Sequence, residues 1–352
     1  MNAAWALAAA LSLPGRAQAS ASAEREIRAV FTKVQQLLAR QTGSDARTVA
    51  GLDEDIESLA PAVLRWKWRA VAPLAAIIAD RSRPVKARLY ALSFLGLTHD
   101  PLALPPLKGL LLDPEAPASL RNAAAASLPL LDVSRQSVRT ALCAALARTD
   151  LPEEAVSSGL LTVSQLGCDE TNTLENRAKS AGLRPQGRPA QDAAWAVAGL
   201  GQSRPLSATR ALVRLLRFYP AGSVLRPAVL RALESKKRDM PALRDDAAAA
   251  LATVLESESN RPDILAAALP MLAGLRDTGR APLLRRFLGH PDAEVATAAA
   301  EALAQMQVFA AREDLRRILA GVHDDPRFAP APGRPDPLRL IERIQAAEKK
   351  LR

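Results

Sequence analysis

The stretch Pro73-Leu74-Ala75-Ala76-Ile77-Ile78-Ala79-Asp80, followed by Val85-Lys86-Ala87-Arg88-Leu89-Tyr90-Ala91-Leu92, decides the fold because it comes back. From Pro106 the chain reads P-L-K-G-L-L-L-D-P and then, from Leu120, L-R-N-A-A-A-A-S-L. From Pro282 it reads P-L-L-R-R-F-L-G-H-P-D-A-E-V-A-T-A-A-A-E-A-L. Each copy is a Pro-led apolar run, an Asp turn and an Ala-rich second run. Proline suits the first turn of a helix, where its missing N–H is not needed, so each copy reads as a helix pair. Pro73 and Pro106 are 33 residues apart, and the interval from Pro106 to Pro282 holds about five units of 35. Self-similarity at a period of roughly 20–50 residues marks a solenoid, in which every unit buries against its neighbours a face it cannot bury alone. The expectation is all-α: an α-solenoid of stacked antiparallel helix pairs.

Composition agrees. Of the 352 residues 49% are hydrophobic and only 3% aromatic, with Ala and Leu dominant, which favours close-packed small helices over strands. A repeat array grows in one dimension, so this length is read as one elongated solenoid. The net charge of +10 comes from 38 Arg and 9 Lys against 37 acids. Arg, Ala, Pro and Gly are all favoured by GC-rich coding, so scattered cations on solvated faces are the plain reading, against nucleic acid, an anionic membrane or an acidic partner.

Residues 1–19 read as a signal peptide. Met1 to Leu13 carries no charged side chain, Pro14-Gly15 reads as a helix break, and Ala17-Gln18-Ala19 precedes Ser20, which places cleavage after Ala19. No Lys or Arg precedes the apolar run, and the run is too short to span a bilayer. Residues 20–70 are expected to form N-terminal capping helices, one over Ser22 to Arg40 with Ile27, Val30, Phe31, Val34, Leu37 and Leu38 at helical spacing, the next from Asp53 to Ala70. The array follows over 71–321, interrupted by an irregular segment at 168–191 that reads as a short polar helix, a degenerate first helix, and a long loop leading into a second helix at Ala190 to Leu200. A Pro-rich loop at 322–337 and an amphipathic capping helix at 338–352 close the chain.

The P-L-x-x-L-L-x-D-P turn followed by V-R-x-A-A-A-x-A-L resembles a HEAT repeat, and in particular the bacterial HEAT-like repeat named after phycobilisome lyases. The resemblance covers about two-thirds of the chain and is strong in three units. It implies an internal ladder between an Asp after the first helix and a basic residue early in the second. Asp80 with Lys86, and Asp113 with Arg121, stand at those places, the latter pair with two extra residues between them; His290 and Ala296 stand there in the later unit. The family is structural and implies binding rather than chemistry.

Catalytic patterns are absent from the sequence: it has no G-x-S-x-G, no H-E-x-x-H, no phosphate-cradling glycine loop and no His beside a nucleophile. His99, His290 and His323 lie in turns, and Asp53-Glu54-Asp55 reads as the acidic start of a helix. Two cysteines and three scattered histidines make no metal cluster, and no cofactor is expected. Cys143 in mid-helix and Cys168 past a helix end are too far apart to bridge on straight helices, so two buried thiols are expected, with a disulfide the alternative if a loop after Leu166 folds back. Arg65-Trp66-Lys67-Trp68-Arg69 interleaves cations with aromatics, a pattern that can bind nucleic acid. On one helix, however, the two indoles point about 200° apart, so Trp66 is expected to bury against Val63 and Ala70. Lys349, Lys350 and Arg352 complement a helix C-terminus. The reading is an exported, monomeric, non-enzymatic solenoid that recognises another protein through its concave face. Its rival is a cytoplasmic nucleic-acid binder resembling HEAT-like alkylpurine DNA glycosylases; a lyase or chaperone for a chromophore-bearing protein is suggested by the repeat's family name alone.

Overall fold

The computed structural model describes residues 14–41, 46–183, 187–322, 324–330 and 335–351. Among them every regular element is a helix. The chain divides into two compact units, Met1–Thr162 and Val163–Arg352.

The first unit opens with α1 (Pro14–Gln41), α2 (Ala46–Glu57) and α3 (Ala60–Leu64). The Pro14-Gly15 pair that reads as a break is where α1 starts, because proline fits the first helical turn. Ile27, Phe31, Val34 and Leu37 recur at helical spacing and are buried, while Glu24 and Arg28 pair on the wet side. The single helix expected over Asp53 to Ala70 is three elements: α2, α3 and a 3₁₀ turn at Lys67–Ala70. Pro61 has no N–H to continue α2, and Lys67 sits in the left-handed region at φ 49. The pairs follow as α4 (Val71–Ala79) with α5 (Val85–Leu97), α6 (Leu104–Leu112) with α7 (Ala118–Ser127), then α8 (Arg135–Leu146) and α9 (Glu153–Leu166). The division between the units falls inside α9.

The physical origin of the repeat is visible in its turns. Asp80 and Asp113 leave the helical region, with ψ of 97° and 111°, and each side chain folds back on the chain. Asp80 accepts from the Ser82 N–H at 3.1 Å and Asp113 from the Glu115 N–H at 3.0 Å. Such Asx turns stop the first helix. Pro84 and Pro117 then cap the start of α5 and α7 in extended conformation. Second helices pack side by side, α5 on α7, as well as on their own first helices.

The second unit continues with α10 (Thr171–Gly182), α11 (Arg188–Gln202), α12 (Leu206–Phe218), α13 (Arg226–Ser235), α14 (Arg244–Ser257), α15 (Pro262–Gly274), α16 (Ala281–Arg286), α17 (Ala293–Gln305), α18 (Arg312–Gly321) and α19 (Pro337–Lys350). The first helices α10, α12 and α14 pack in succession, and so do the second helices α11, α13, α15, α17 and α19. Each unit is thus built as a helical repeat, the arrangement of an α-solenoid. Alanines make the spacing close: a Cβ on Gly201 of α11 would lie 3.2 Å from the Ala232 Cβ of α13. Within the segment expected to be irregular, α10 is a full helix packed on α11. Its buried apolar side chains are only Leu174 and Ala178, and its other buried positions are Thr171 and Glu175, which hides its period in the sequence. Asp336 caps α19 by accepting from the Leu338 N–H at 3.0 Å, and Phe328 is buried in the segment before it.

Candidate functional site

Three side-chain constellations and one groove stand out. The first is a ladder of buried arginines. Arg88, Arg121 and Arg226 lie early in the second helices α5, α7 and α13 and are 6%, 3% and 4% exposed. Each sends Nε back to a carbonyl at the end of its own first helix: Ile78 at 2.7 Å, Leu111 at 3.1 Å and Tyr219 at 2.9 Å. Those carbonyls are among the last four of a helix and lack an intrahelical donor. Two of the arginines also reach the next repeat. Arg121 donates to the Asp150 carbonyl at 2.8 Å and to its carboxylate at 3.2 Å. Arg226 donates to Ser257 Oγ at 2.8 Å and to Glu258 Oε1 at 2.6 Å, and Glu258 is itself buried. Asp150 also faces Arg148 at 2.8 Å, and that hydrogen bond, ahead of the charges of Arg148 and Arg121, lowers its carboxyl to about 2.

The ladder therefore differs from the expected one. Asp80 does not pair with Lys86; it accepts from Ser82 and, at 3.0 Å, from Arg83. Asp113 does not pair with Arg121; Arg81 of the preceding repeat reaches it at 3.4 Å. The aspartates are spent stopping their helices, and the arginine eight residues after each one, Arg88 or Arg121, does the bracing. That equal spacing is legible in the sequence, and the two-residue misfit of the Lys86 reading was its sign.

Lys86 belongs to the second constellation. Its Nζ donates to Asp53 Oδ1 at 2.9 Å and to Gln41 Oε1 at 2.6 Å. The same Asp53 oxygen accepts from Tyr90 Oη at 2.5 Å and from Gln41 Nε2 at 2.7 Å. Asp53 lies well inside α2, so it does not start a helix as Asp53-Glu54-Asp55 suggested. The Tyr90 hydroxyl, then Lys86, hold its carboxyl down at about 2. Burial and the facing carboxylate push the Tyr90 hydroxyl up. At neutral pH the pair is an anion and a neutral phenol, both far from titration. The cluster clasps α1 and α2 to α5, and it is not an acid–base couple.

The third constellation is Arg65-Trp66-Lys67-Trp68-Arg69. Trp66 is half-buried and donates Nε1 to Glu26 Oε2 at 3.0 Å, and Arg65 pairs with the same carboxylate. Arg65 lies over the Trp66 ring at 5.8 Å and Arg69 over Trp68 at 4.8 Å. The left-handed Lys67 separates the indoles, so the helical geometry used to set them apart does not apply. Each indole thus carries one of the chain's own guanidinium groups against its ring.

The remaining predicted residues have structural partners. His99, at φ 54, donates from Nδ1 to the Leu130 carbonyl. His290 donates from Nε2 to the Ser259 carbonyl at 3.0 Å and accepts at Nδ1 from the Asp292 N–H at 3.0 Å. His323, Met1 to Leu13 and Arg352 lie outside the described residues. Neither Cys143 nor Cys168 is a free thiol; both are disulfide-bonded, which corrects the expectation of two buried thiols. Cys168 does not extend the line of α9. The helix ends at Leu166, and Gly167 turns the chain at φ 75, with its added Cβ only 2.7 Å from the Gln202 backbone. No group of His, Cys, Asp or Glu among the described residues could hold a metal ion, and no helix there is long and apolar enough to cross a membrane.

The groove lies on the second-helix side of the second unit, between α13, α15 and α17. It has a volume of about 440 Å³. Its floor is the small-residue face Ala267, Pro270 and Gly274 of α15, and Arg231 and Gln305 stand at its walls.

No protein-family model and no curated protein matches the chain. Among solved structures it is similar to the crystal structure of an engineered protein from the Northeast Structural Genomics Consortium, at 18% identity and a TM-score of 0.43 over 90% of this chain and 91% of that one. Likeness at that level carries no argument about function.

Proposed function

We propose that the chain is an exported, non-enzymatic HEAT-like scaffold that recognises another protein through the face formed by its second helices. The observation that carries this reading is the division of labour between side chains. The three buried arginines are consumed in holding their own pairs together and, at Arg121 and Arg226, one repeat to the next. The exposed positions of α13 and α15, with Gln305 at the end of the otherwise buried α17, are left to line a groove. Repeat proteins bind through such surfaces. The carboxylate and phenol of the clasp, Asp53 and Tyr90, are both shifted away from neutral pH, which suits a clasp and not proton transfer. Export is supported by the disulfide-bonded state of both cysteines, which persists in oxidising compartments, together with the uncharged run at Met1 to Leu13.

The test has two arms. Full-length protein expressed in a Gram-negative host is fractionated, and its mature N-terminus is sequenced; a periplasmic species beginning at Ser20 is expected. Partners cross-linked in the native compartment are then compared between wild type and a variant with the exposed residues of α13 and α15, and Gln305 of α17, scrambled. Loss of the partner is expected, and retention overturns the reading. A cytoplasmic, uncleaved chain whose DNA affinity falls steeply with salt would turn the assignment to nucleic acid.

A further inference from the structure

We infer that the groove across α15 seats an acidic amphipathic segment of the partner protein, its apolar side against Ala267, Pro270 and Gly274 and a carboxylate on Arg231. This rests on the protein-recognition reading and specifies its occupant. Three observations bring it forward.

The floor is apolar and smooth. Ala267, Pro270 and Gly274 fall at helical spacing on the outer face of α15 and are all exposed. A partner backbone can approach such a face closely, and a groove of about 440 Å³ holds a few side chains rather than a whole domain surface.

The second observation concerns charge. Glu234 also lines the groove, but its carboxylate is engaged by Lys237 at 3.2 Å. Among the described residues no carboxylate is paired with Arg231, nor with Arg238 and Arg276 in the turns that follow α13 and α15. The groove therefore presents apolar floor beside uncompensated positive charge, and its complement is an acidic segment with one apolar side.

The third is the proline within α15. Pro270 has no N–H, so the carbonyl of Ala266, one turn earlier, lacks its usual helical donor. Ala266 and Pro270 share a face of the helix, and Ala266 is partly exposed. A backbone acceptor beside an apolar floor favours a segment that also brings a side-chain N–H or O–H.

The test uses two fluorescent synthetic peptides on the intact protein at physiological salt. Both carry leucines at i, i+3, i+4 and i+7; one has glutamates between them and the other lysines. The glutamate peptide is expected to bind about tenfold or more tighter than the lysine peptide. Gly274→Phe fills the groove without touching the fold, since a Cβ there meets nothing nearer than Gln305 Nε2 at 4.0 Å. Gly274→Phe and Arg231→Glu are each expected to weaken the glutamate peptide by about tenfold, with circular dichroism and melting temperature unchanged. Ala267→Phe serves as the groove-filling variant should Gly274→Phe melt early. No binding of the glutamate peptide, equal binding of both peptides, or unaltered affinity in the variants overturns the inference. The scrambled-face experiment separates the two levels. A partner lost on scrambling but kept by Gly274→Phe and Arg231→Glu removes this groove and leaves the recognition reading; a partner kept throughout removes both.

Discussion

Gln307 closes α17 at φ 58, with its own N–H on the Ala304 carbonyl and the Val308 N–H on the Leu303 carbonyl. This is a left-handed helix terminus filled by a residue with a Cβ, a position where glycine is the usual occupant. Gln307→Gly is expected to raise stability by about 0.5–1 kcal/mol, the relief of the left-handed strain less the added chain entropy of glycine, read as an upward shift of the urea midpoint at constant slope. Gly182 is the converse. A Cβ there would lie 2.5 Å from Tyr219 Cε1, and Tyr219 is fully buried with its hydroxyl on the Ala178 carbonyl at 2.9 Å. Gly182→Ala should cost about 1–3 kcal/mol through overpacking, measured by the same melt. Neither effect is legible in the sequence. Gln307 looks like any polar turn residue, and Gly182 looks like the start of a loop.

At the scale of helices the ladder sets the largest single energies. Glu258→Ala strands the Arg226 guanidinium in the core and is expected to cost about 3–5 kcal/mol. Replacing the pair together by Leu and Met should recover most of that loss, and a double-mutant cycle in urea checks it. The clasp on α5 predicts a pH effect of definite sign. Asp53 titrates near 2 when folded against an ordinary value of 3.8, so its contribution is complete above the ordinary value and disappears as pH falls through the folded one. The stability gap between wild type and Asp53→Asn should accordingly shrink between about pH 4 and about pH 2. Helix pairs were legible wherever the apolar period was dense, as at Pro73 to Leu92. They are faintest at α10, which reads only as a short polar helix because a buried Glu175, held by Arg214 at 2.9 Å, stands on its packed face. The bracing residues were half-legible. The spacing singles out Arg121 but not its partner, Asp150 rather than Asp113, because a sequence shows spacing and not which of two acceptors is closer.

For the whole chain, the repeat class could be read from three motifs, since periodicity survives divergence that erases everything else. The clasp, the groove and the state of the cysteines could not, because each depends on residues tens of positions apart in the chain. The cysteines give a global prediction. Reduction with a phosphine under native conditions should lower stability by about 2–4 kcal/mol, seen as an earlier thermal transition, and Cys143→Ser should abolish that sensitivity to reductant. The ladder has a further consequence, for where the chain can be shortened. A fragment that ends after α13 keeps Arg226 but discards Ser257 and Glu258, leaving a cation walled into apolar surroundings. One that ends after α15 keeps the whole contact and exposes only the flank of a helix pair. Trimming or grafting this protein by helix pairs, as the motif spacing invites, would cut through its bracing; the transferable unit is a pair together with the acidic turn of the pair that follows.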